Sequence, residues 1–278
     1  LVVKVMELLK RKDYQPIVDT RELEVKSIKR CIEFQNKDSD KKNILAFSGG
    51  KDSVVAYFIL KKSGIDFTPI YSPTSADPPE LIYFIRKNFP DVIFNKYNKW
   101  TKGDKAGKEK TMWTLIGNRA ILPTRLNRYC CDELKERTGD KGDTVFTGVR
   151  WEESKARADQ KMVNFYKEKI MVRPIVDWSE TEVWSYILQN NLPYCELYDK
   201  GFNRIGCIGC PLGTNQKREL ELYPKYKDNY LRALKKFLEY REKKGLETTW
   251  KTPEEVMKWW LGESKKQREE IEGQCSMF

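Results

Sequence analysis

The sequence of 278 residues contains no histidine. This absence excludes Ser-His-Asp and Cys-His catalysis, HExxH metalloprotease sites, Cys2His2 zinc fingers and histidine-ligated haem. Any acid, base or metal chemistry must therefore use Cys, Asp, Glu, Lys, Tyr or backbone groups. A long apolar run is missing as well, because no stretch approaches the roughly 18 residues needed to span a bilayer. The sequence accordingly predicts a protein without membrane association.

A secretory signal is also lacking. Residues 1–9 are followed directly by Lys10-Arg11-Lys12, which is the wrong charge order for such a signal. We therefore expect a cytoplasmic protein, in which cysteines serve as metal ligands, catalytic groups or buried thiols rather than disulfides. The seven cysteines are Cys31, Cys130, Cys131, Cys195, Cys207, Cys210 and Cys275.

Short apolar runs alternate with segments of helical spacing. Strands are predicted at 44–47, 67–71, 92–94 and 144–149, and helices at 27–34, 52–62, 79–88 and 179–189. In the first helix, Ile28, Cys31 and Ile32 are expected to share an apolar face. Such alternation predicts an α/β fold with a doubly wound, mostly parallel sheet.

The pattern changes beyond Pro211 to charged helices, predicted at 217–244 and 253–272. Aromatic residues recur there at helical spacing and are expected to form a packed face, with a base-stacking platform as the alternative. We predict three regions: an N-terminal helical segment at 1–42, an α/β domain carrying the cysteine pairs at 43–212, and a helical C-terminal extension at 213–278.

One glycine motif joins a predicted strand to a predicted helix. It reads Ser48-Gly49-Gly50-Lys51-Asp52-Ser53. Glycines let backbone N–H groups approach an anion, the helix N-terminus adds positive potential, and the serine hydroxyls can donate hydrogen bonds. The motif is neither GxxxxGK[ST] nor GxGxxG. It predicts a phosphate-binding loop, with a plain tight turn as the alternative.

The glycine motif resembles the PP-loop of the adenine-nucleotide α-hydrolase superfamily. Further segments narrow the resemblance to the phosphoadenosine phosphosulfate (PAPS) reductase family. Gly148-Val149-Arg150 with Arg157 is similar to its GxRxxES…R motif, and residues 173–184 are similar to its PxxDW…VW motif. The resemblance covers about residues 20–212. It implies a PP-loop (HUP-like) nucleotide-binding domain.

The intact loop favours ATP over a sulfonucleotide, because sulfonucleotide reductases usually carry a bulky residue in place of the second glycine. The resemblance then implies ATP pyrophosphatase or adenylyltransferase chemistry at the α-phosphate. Lys51, Asp52, Arg150 and Arg157 are the candidate catalytic residues, and Mg²⁺ is the expected metal of the bound nucleotide. The nucleotide-site candidates are Ser48, Gly49, Gly50, Lys51, Asp52, Ser53, Asp77, Lys135, Gly148 and Arg150.

The cysteines add a second kind of chemistry. Cys130-Cys131 and Cys207-Ile208-Gly209-Cys210 resemble the CC…CxxC arrangement that binds a [4Fe–4S] cluster in adenylyl-sulfate (APS) reductases. Four converging thiolates need a neutralising cation, which an iron–sulfur cluster or zinc would supply. Lys135 matches a lysine that the family places near cluster and substrate. Cys195 is the candidate substitute for one of the four ligands.

Three functions remain open. The first couples adenylylation by ATP to sulfur transfer, with a nucleic acid as a candidate acceptor and a partner subunit or a homodimer as a candidate assembly. The second is an iron–sulfur APS or PAPS reductase that releases sulfite, which requires a nucleophilic cysteine such as Cys275. The alternative for Cys275 is an incidental thiol. The third is a non-catalytic partner that binds a nucleotide or a cluster.

Charge is distributed unevenly along the chain. The chain has 52 Lys and Arg against 41 Asp and Glu, a net charge of +11. Nine basic residues fall within 95–128 against only Asp104 and Glu109. This loop is interpreted as closing over a nucleotide, contacting a nucleic-acid backbone, or lying solvated without either role. The nine are Lys96, Lys99, Lys102, Lys105, Lys108, Lys110, Arg119, Arg125 and Arg128.

Overall fold

The computed structural model describes residues 18–38, 40–124 and 126–263. Its strands are β1 (Asn43–Phe47), β2 (Thr68–Tyr71), β3 (Ile93–Phe94), β4 (Thr144–Phe146), β5 (Val163–Tyr166) and β6 (Lys169–Val172). They form one sheet in the order β3-β2-β1-β4-β6-β5. Only the β5–β6 pair is antiparallel among these neighbours. The predicted doubly wound, mostly parallel sheet is confirmed.

Ten α-helices accompany the strands in the described residues. They are α1 (Arg21–Phe34), α2 (Lys51–Ser63), α3 (Pro79–Asn88), α4 (Met112–Ile116), α5 (Tyr129–Leu134), α6 (Lys155–Ala158), α7 (Glu180–Gln189), α8 (Gln216–Leu222), α9 (Pro224–Lys243) and α10 (Pro253–Trp260). Short 3₁₀ turns lie at Gly103–Lys105 and Trp151–Glu153. No helix of this part of the chain is long and apolar enough to cross a bilayer.

The described residues divide into two compact units. The sheet unit contains the residues up to Ser72 together with Pro79–Lys96 and Arg137–Ile205. The cysteine unit contains Pro73–Pro78, Tyr97–Glu136 and the residues from Gly206 onward. The sheet unit therefore holds every strand, and the cysteine unit holds α4, α5 and α8–α10.

The order of the strands reverses at β1 in the sheet unit. β1 pairs in parallel with β2 on one side and with β4 on the other. The chain therefore leaves the carboxyl ends of β1 and β4 side by side, at a topological switch point where open α/β sheets bind ligands. The residues that follow are Ser48-Gly49-Gly50 after β1 and Thr147-Gly148 after β4.

Helix α1 is fixed to the segment before α7 by side-chain contacts. Ser27 Oγ donates to Pro174 O at 3.0 Å and accepts from Trp178 Nε1 at 3.0 Å. Arg30 forms two hydrogen bonds with the Asp177 carboxylate, at 2.6 and 2.8 Å. The buried face of α1 is therefore partly polar.

The cysteine unit has a core of its own. The core joins α4 and α5 to the C-terminal helices through large side chains such as Tyr230, Phe237, Trp259 and Trp260. Tyr230 and Phe237 are completely or almost completely buried. Trp113 packs edge-on against Tyr230, with ring centroids 4.9 Å apart. The aromatic repeat of the C-terminal helices thus forms a packed face, as expected.

Several predicted elements differ in detail. The strand predicted at 144–149 ends at Phe146. Gly148 lies in the loop after it, against the backbone of Asp52 and Ser53. The helix predicted at 217–244 is two helices, since Pro224 cannot continue α8 and instead begins α9. Ile32 is 44% exposed, whereas Cys31 is fully buried, so the apolar face of α1 is narrower than expected.

Two further differences concern the last helix and the elements that the sequence did not predict. The last predicted helix, at 253–272, ends at Trp260, and its predicted continuation from 264 lies outside the described residues. The β5–β6 hairpin and the short helices α4 and α5 have no counterpart in the sequence prediction. Their few residues are too short to establish a period.

Candidate functional site

The two glycines of the loop after β1 have different structural roles. Gly49 has φ +72°, and a Cβ there would lie 2.7 Å from Leu81 Cδ1. Gly50 has φ −75°, and a Cβ there would meet Ser48 Oγ and the Tyr198 hydroxyl at 3.5 Å, an ordinary contact. Gly49 is therefore required by the backbone and by packing, whereas the fold does not require glycine at position 50.

The serines of the loop bond to each other and to the loop backbone. Ser53 Oγ donates to Gly50 O at 2.9 Å and accepts from Ser48 N–H at 3.2 Å. The hydroxyls of Ser48 and Ser53 are 3.0 Å apart. These bonds fix the shape of the loop before any ligand is present.

Backbone N–H groups remain available where α2 begins. The first intrahelical bond runs from Val54 N–H to Gly50 O at 3.0 Å, so the N–H groups of residues 51–53 precede it. Lys51 N–H donates to the hydroxyl of buried Tyr198 at 2.9 Å. Within the described residues the Asp52 and Ser53 N–H groups make no hydrogen bond. Together with the positive helix end they suit an anionic ligand.

Lys51 lies among acidic and aromatic groups. Its side chain is 7% exposed, and Nζ lies 3.5 Å from Asp52 Oδ2 and 3.6 Å from Glu180 Oε1. The same Nζ lies 5.6 Å from the centre of the Tyr198 ring. These separations are ion pairs rather than short hydrogen bonds, so the ammonium retains donors for a ligand.

Arg150 connects the two loops at the switch point. Its Nε donates to Asp52 Oδ1 at 2.6 Å, and Nη1 donates to Glu152 Oε2 and to Trp178 O, each at 3.0 Å. Burial acts to lower the pKa of Arg150, but the charge and hydrogen bond of Asp52, followed by Glu153 and Glu152, raise it. Arg150 is therefore a fixed cation that holds the loop after β4 against α2.

Gly148 brings the two loops into contact through backbone atoms. A Cβ on Gly148 would lie 2.6 Å from Asp52 O and 2.8 Å from Ser53 N. Backbone atoms at such distances cannot move aside as a flexible side chain can. Arg157, in contrast, is partly exposed and pairs with Glu153, four residues earlier in the preceding 3₁₀ turn.

The four predicted ligand cysteines belong to the cysteine unit. The Cys130 thiol donates a hydrogen bond to Cys131, which lowers the pKa of Cys131 and raises that of Cys130. The charges of Cys207 and Cys210 also act on Cys130. Burial raises the pKa of Cys207 to about 11, against the nearby charge of Lys135. The charges of the two cysteine pairs therefore influence one another.

Three C-terminal helices each form one hydrogen bond with the backbone of the Cys207–Cys210 turn. Tyr230 of α9 donates its hydroxyl to Ile208 O at 2.8 Å, and Trp260 of α10 donates Nε1 to Gly209 O at 2.8 Å. Glu219 of α8 accepts the Gly209 N–H at 2.7 Å. The turn also needs glycine at 209, which has φ +65° and lies against Leu220 and Tyr230.

Lys135 and Asp77 accompany the cysteines. The charge of Cys207 has the largest effect on the pKa of Lys135 and raises it. Burial acts to lower this pKa, and the charges of Asp77, Cys131 and Cys210 raise it further. The Asp77 carboxylate accepts Thr74 N–H at 2.6 Å, and the Cys207 thiol donates to Thr74 Oγ1 at 3.4 Å. The structure therefore groups Asp77, predicted to border a nucleotide, with the cysteines of its own unit.

The remaining cysteines are placed elsewhere. Cys195 is fully buried in the sheet unit, where burial raises its pKa to about 11. Burial likewise raises the pKa of Cys31 in α1 to about 12. Cys275 lies outside the described residues. Among the described residues, no three Cys, Asp or Glu side chains have an arrangement that could hold a metal ion.

Several residues of these sites were missed by sequence reasoning. Glu180 lies in a segment quoted for the family resemblance, and Tyr198 lies within the region that the resemblance covers. Nothing in their spacing indicates contact with Lys51, since 129 and 147 positions separate them from it. Thr74 and Trp260 carry no motif at all. Their roles depend on contacts between distant segments, which one sequence does not reveal.

The fold and the glycine loop define an α/β protein with a candidate anion-binding loop at the switch point of a doubly wound sheet. A family model described as the phosphoadenosine phosphosulfate reductase domain matches residues 42–213. The chain belongs to this family, as its motifs predicted.

Relatives of the chain span a range of similarity. An uncharacterized protein of Methanocaldococcus jannaschii is 35% identical over 204 residues, covering 69% of this chain and 47% of that protein. The chain thus spans less than half the length of this relative. An adenosine 5'-phosphosulfate reductase of Shouchella clausii is 25% identical over 215 residues, covering 74% of this chain and 85% of the enzyme.

A solved structure shows a more distant likeness. The phosphoadenylyl-sulfate reductase of Candida auris, in its phosphate complex, is 17% identical with a TM-score of 0.47. The match covers 71% of this chain and 95% of that chain.

Proposed function

We propose that the chain binds ATP at the loop after β1 and transfers its adenylyl group to an acceptor in sulfur chemistry. The observation that carries the proposal is Gly50. Its backbone is extended and a Cβ would meet no clash, so folding does not explain the glycine. A ligand does explain it, because a side chain at this point would occupy the space beside the free N–H groups of the loop.

The proposed reaction places the pyrophosphate of ATP at the N-terminus of α2. An acceptor oxygen attacks the α-phosphorus, and the bond from this phosphorus to the bridging oxygen breaks. The electron pair leaves with pyrophosphate. The Asp52 and Ser53 N–H groups and the Lys51 ammonium are positioned to stabilise the charge that grows on this leaving group.

Mg²⁺ is not assigned protein ligands. The Asp52 carboxylate is already held by Arg150 at 2.6 Å and lies near Lys51. The described residues contain no group of three or more Asp, Glu or Cys side chains arranged to hold a metal ion. Asp52 is therefore proposed to position Arg150 and α2 rather than to act on the nucleotide.

The cysteine unit fits an iron–sulfur cluster by its donors. Cys130, Cys131, Cys207 and Cys210 are electrostatic neighbours, and Lys135 and Arg128 supply positive charge to them. By residue type these four thiols would hold a [4Fe–4S] cluster, or zinc. In the described residues they do not form a group arranged to hold a metal ion. When bound, the cluster would supply sulfur or redox chemistry. Lys135 would then offset negative charge beside the thiolates.

The Gly50→Ala variant tests the proposal. Its Cβ fits the folded loop, so we expect unchanged stability but at least about tenfold weaker ATP binding, since one tenth of the affinity corresponds to about 1.4 kcal/mol. AMP, which lacks the leaving pyrophosphate, should bind equally to both proteins. Isothermal titration calorimetry measures both ligands.

Gly206→Ala is the matched control, because a Cβ at Gly206 meets nothing within 4 Å. Product analysis with Mg-ATP completes the test: at ATP concentrations below saturation, wild-type protein should release pyrophosphate at least about tenfold faster than Gly50→Ala. Equal ATP affinity of Gly50→Ala and wild type would contradict the proposed site.

A sulfonucleotide reductase is the second candidate. It is favoured by the likeness to the Shouchella clausii enzyme over 85% of that enzyme's length and by the two neighbouring cysteine pairs. This reaction requires sulfite release from APS or PAPS by a nucleophilic cysteine. Sulfite release that is abolished by Cys275→Ser would support it, and full activity of that variant would remove it.

A further inference from the structure

The basic segment between β3 and α5 contains an ordered hairpin. Trp100 N–H donates to Lys108 O, and Gly107 N–H donates to Trp100 O, both at 2.9 Å. An antiparallel bridge pairs Lys99 with Glu109. Gly103 and Gly107 take positive φ values in the turn. Backbone hydrogen bonds therefore fix the positions from which the lysine side chains of this hairpin extend.

The hairpin meets the end of α9 within the cysteine unit. Lys105 Nζ lies 5.0 Å from the centre of the Tyr240 ring, and Lys244 Nζ lies 6.0 Å from the same ring. Lys105 also lies 5.8 Å from the Trp100 ring centre. The half-buried Tyr240 ring thus contacts ammonium groups from two segments more than a hundred residues apart. We name Lys99, Lys102, Lys105, Lys108, Lys243 and Lys244 the basic patch.

The two segments that form the basic patch carry a high density of positive charge. Residues 98–110 and 240–246 contain eight basic side chains against three acidic ones, Asp104, Glu109 and Glu242. Burial, followed by the charges of Lys243, Lys108 and Lys244, lowers the pKa of Lys105, and only Asp104 acts in the other direction. The Lys243–Asp104 pair is 4.0 Å apart and highly exposed, so it neutralises little of this charge.

We propose that the basic patch binds the phosphate backbone of a nucleic acid. Clustered ammonium groups beside half-buried aromatic rings are the combination that such backbones require. A membrane surface is less suited, because among the exposed large apolar side chains of the described residues only Leu246 lies in the two segments, and surface binding needs a broad apolar face. The patch is independent of the proposed adenylyl transfer.

Binding of a labelled RNA hairpin and of a labelled DNA duplex, measured by fluorescence anisotropy over a series of salt concentrations, tests this proposal. The test variant is K99Q/K102Q/K108Q/K244Q, whose four side chains are exposed. We expect at least about tenfold weaker binding at 0.1 M salt and a slope of log K against log salt that is shallower by about 3.

The control variant is K29Q/K37Q/K87Q/K161Q, which loses the same charge from exposed positions of the sheet unit. It should retain most of the wild-type affinity and slope. Equal weakening by both variants would overturn the proposal, because net charge alone would then explain binding. Wild-type binding that is insensitive to salt, or equally strong binding to anionic phosphatidylglycerol vesicles, would overturn it too. Failure of ATP turnover would leave this result unaffected.

Discussion

The candidate sites of the two units differ in the groups that form them. In the sheet unit, the loop after β1 offers backbone N–H groups and serine hydroxyls that are adjacent in sequence. In the cysteine unit, the Cys207–Cys210 turn owes its shape to side chains of three later helices. A site made of local backbone can be recognised in a short motif, whereas a site made of distant side chains is visible only in the fold.

Among the substitutions that test this difference between the units, that of Gly148 should reduce the free energy of unfolding most. In Gly148→Ala the Cβ would lie 2.6 Å from Asp52 O, a backbone atom that cannot move aside. We expect the free energy of unfolding to fall by about 3 kcal/mol, the upper end for overpacking. Urea denaturation measures it. Gly206→Ala, which meets no neighbour, should change stability little, and equal loss in both would refute the close approach.

Loss of one hydroxyl in the cysteine unit should have an intermediate effect. Tyr230→Phe leaves the buried Ile208 carbonyl without its donor, so we expect a loss of about 1–2 kcal/mol in unfolding free energy. The Cys207–Cys210 turn should loosen, and the thiols of metal-free protein should react faster with a thiol reagent.

Tyr240→Phe is the control for this change in the same helix, because its partly exposed hydroxyl holds no part of the turn. Identical thiol reaction rates in wild type and Tyr230→Phe would show that α9 does not hold the turn. ATP binding should be the same in all three proteins.

The smallest expected effect concerns acid stability of the sheet unit. Burial acts to raise the pKa of Asp177, but hydrogen bonds from Arg30 and Lys26 outweigh it and hold the pKa well below the usual range. Because the folded pKa is depressed, this stabilisation is present above about pH 4, the unfolded value, and is lost as pH falls through the folded value.

Asp177→Asn should therefore lose about 1 kcal/mol at pH 7, a figure reduced for partial solvent screening. Its stability should also fall less steeply than that of wild type between pH 5 and pH 2. Urea midpoints across this range provide the measurement. Parallel pH profiles of the two proteins would exclude a role for the Arg30–Asp177 pair.

Much of the sheet unit could be predicted from the sequence. Helix 79–88 matches α3 residue for residue. The helix predicted at 179–189 is α7, in which Ser179 is the N-cap and accepts Glu182 N–H. The glycine loop also lies where a strand meets a helix. Local signals of this kind arise from backbone requirements within a few residues, so a single sequence contains them.

Contacts over long sequence separations could not be predicted. Asp52 and Arg150 are 98 residues apart, and the hydrogen bond between them follows from the pairing of β1 with β4. The grouping of Asp77 with Lys135 and Cys207 likewise depends on which segments pack in the cysteine unit. Residue types alone indicated the chemistry of these groups but not their partners.

The bond from Trp260 to the Gly209 carbonyl sets an order of events during synthesis. The Cys207–Cys210 turn leaves the ribosome about fifty residues before the side chain that fixes it. Until then both thiols lack their final support, and the glycine loop of the sheet unit is already complete. A newly made chain therefore contains the glycine loop and its Arg150 and Tyr198 contacts before it contains the residue that completes the cysteine turn.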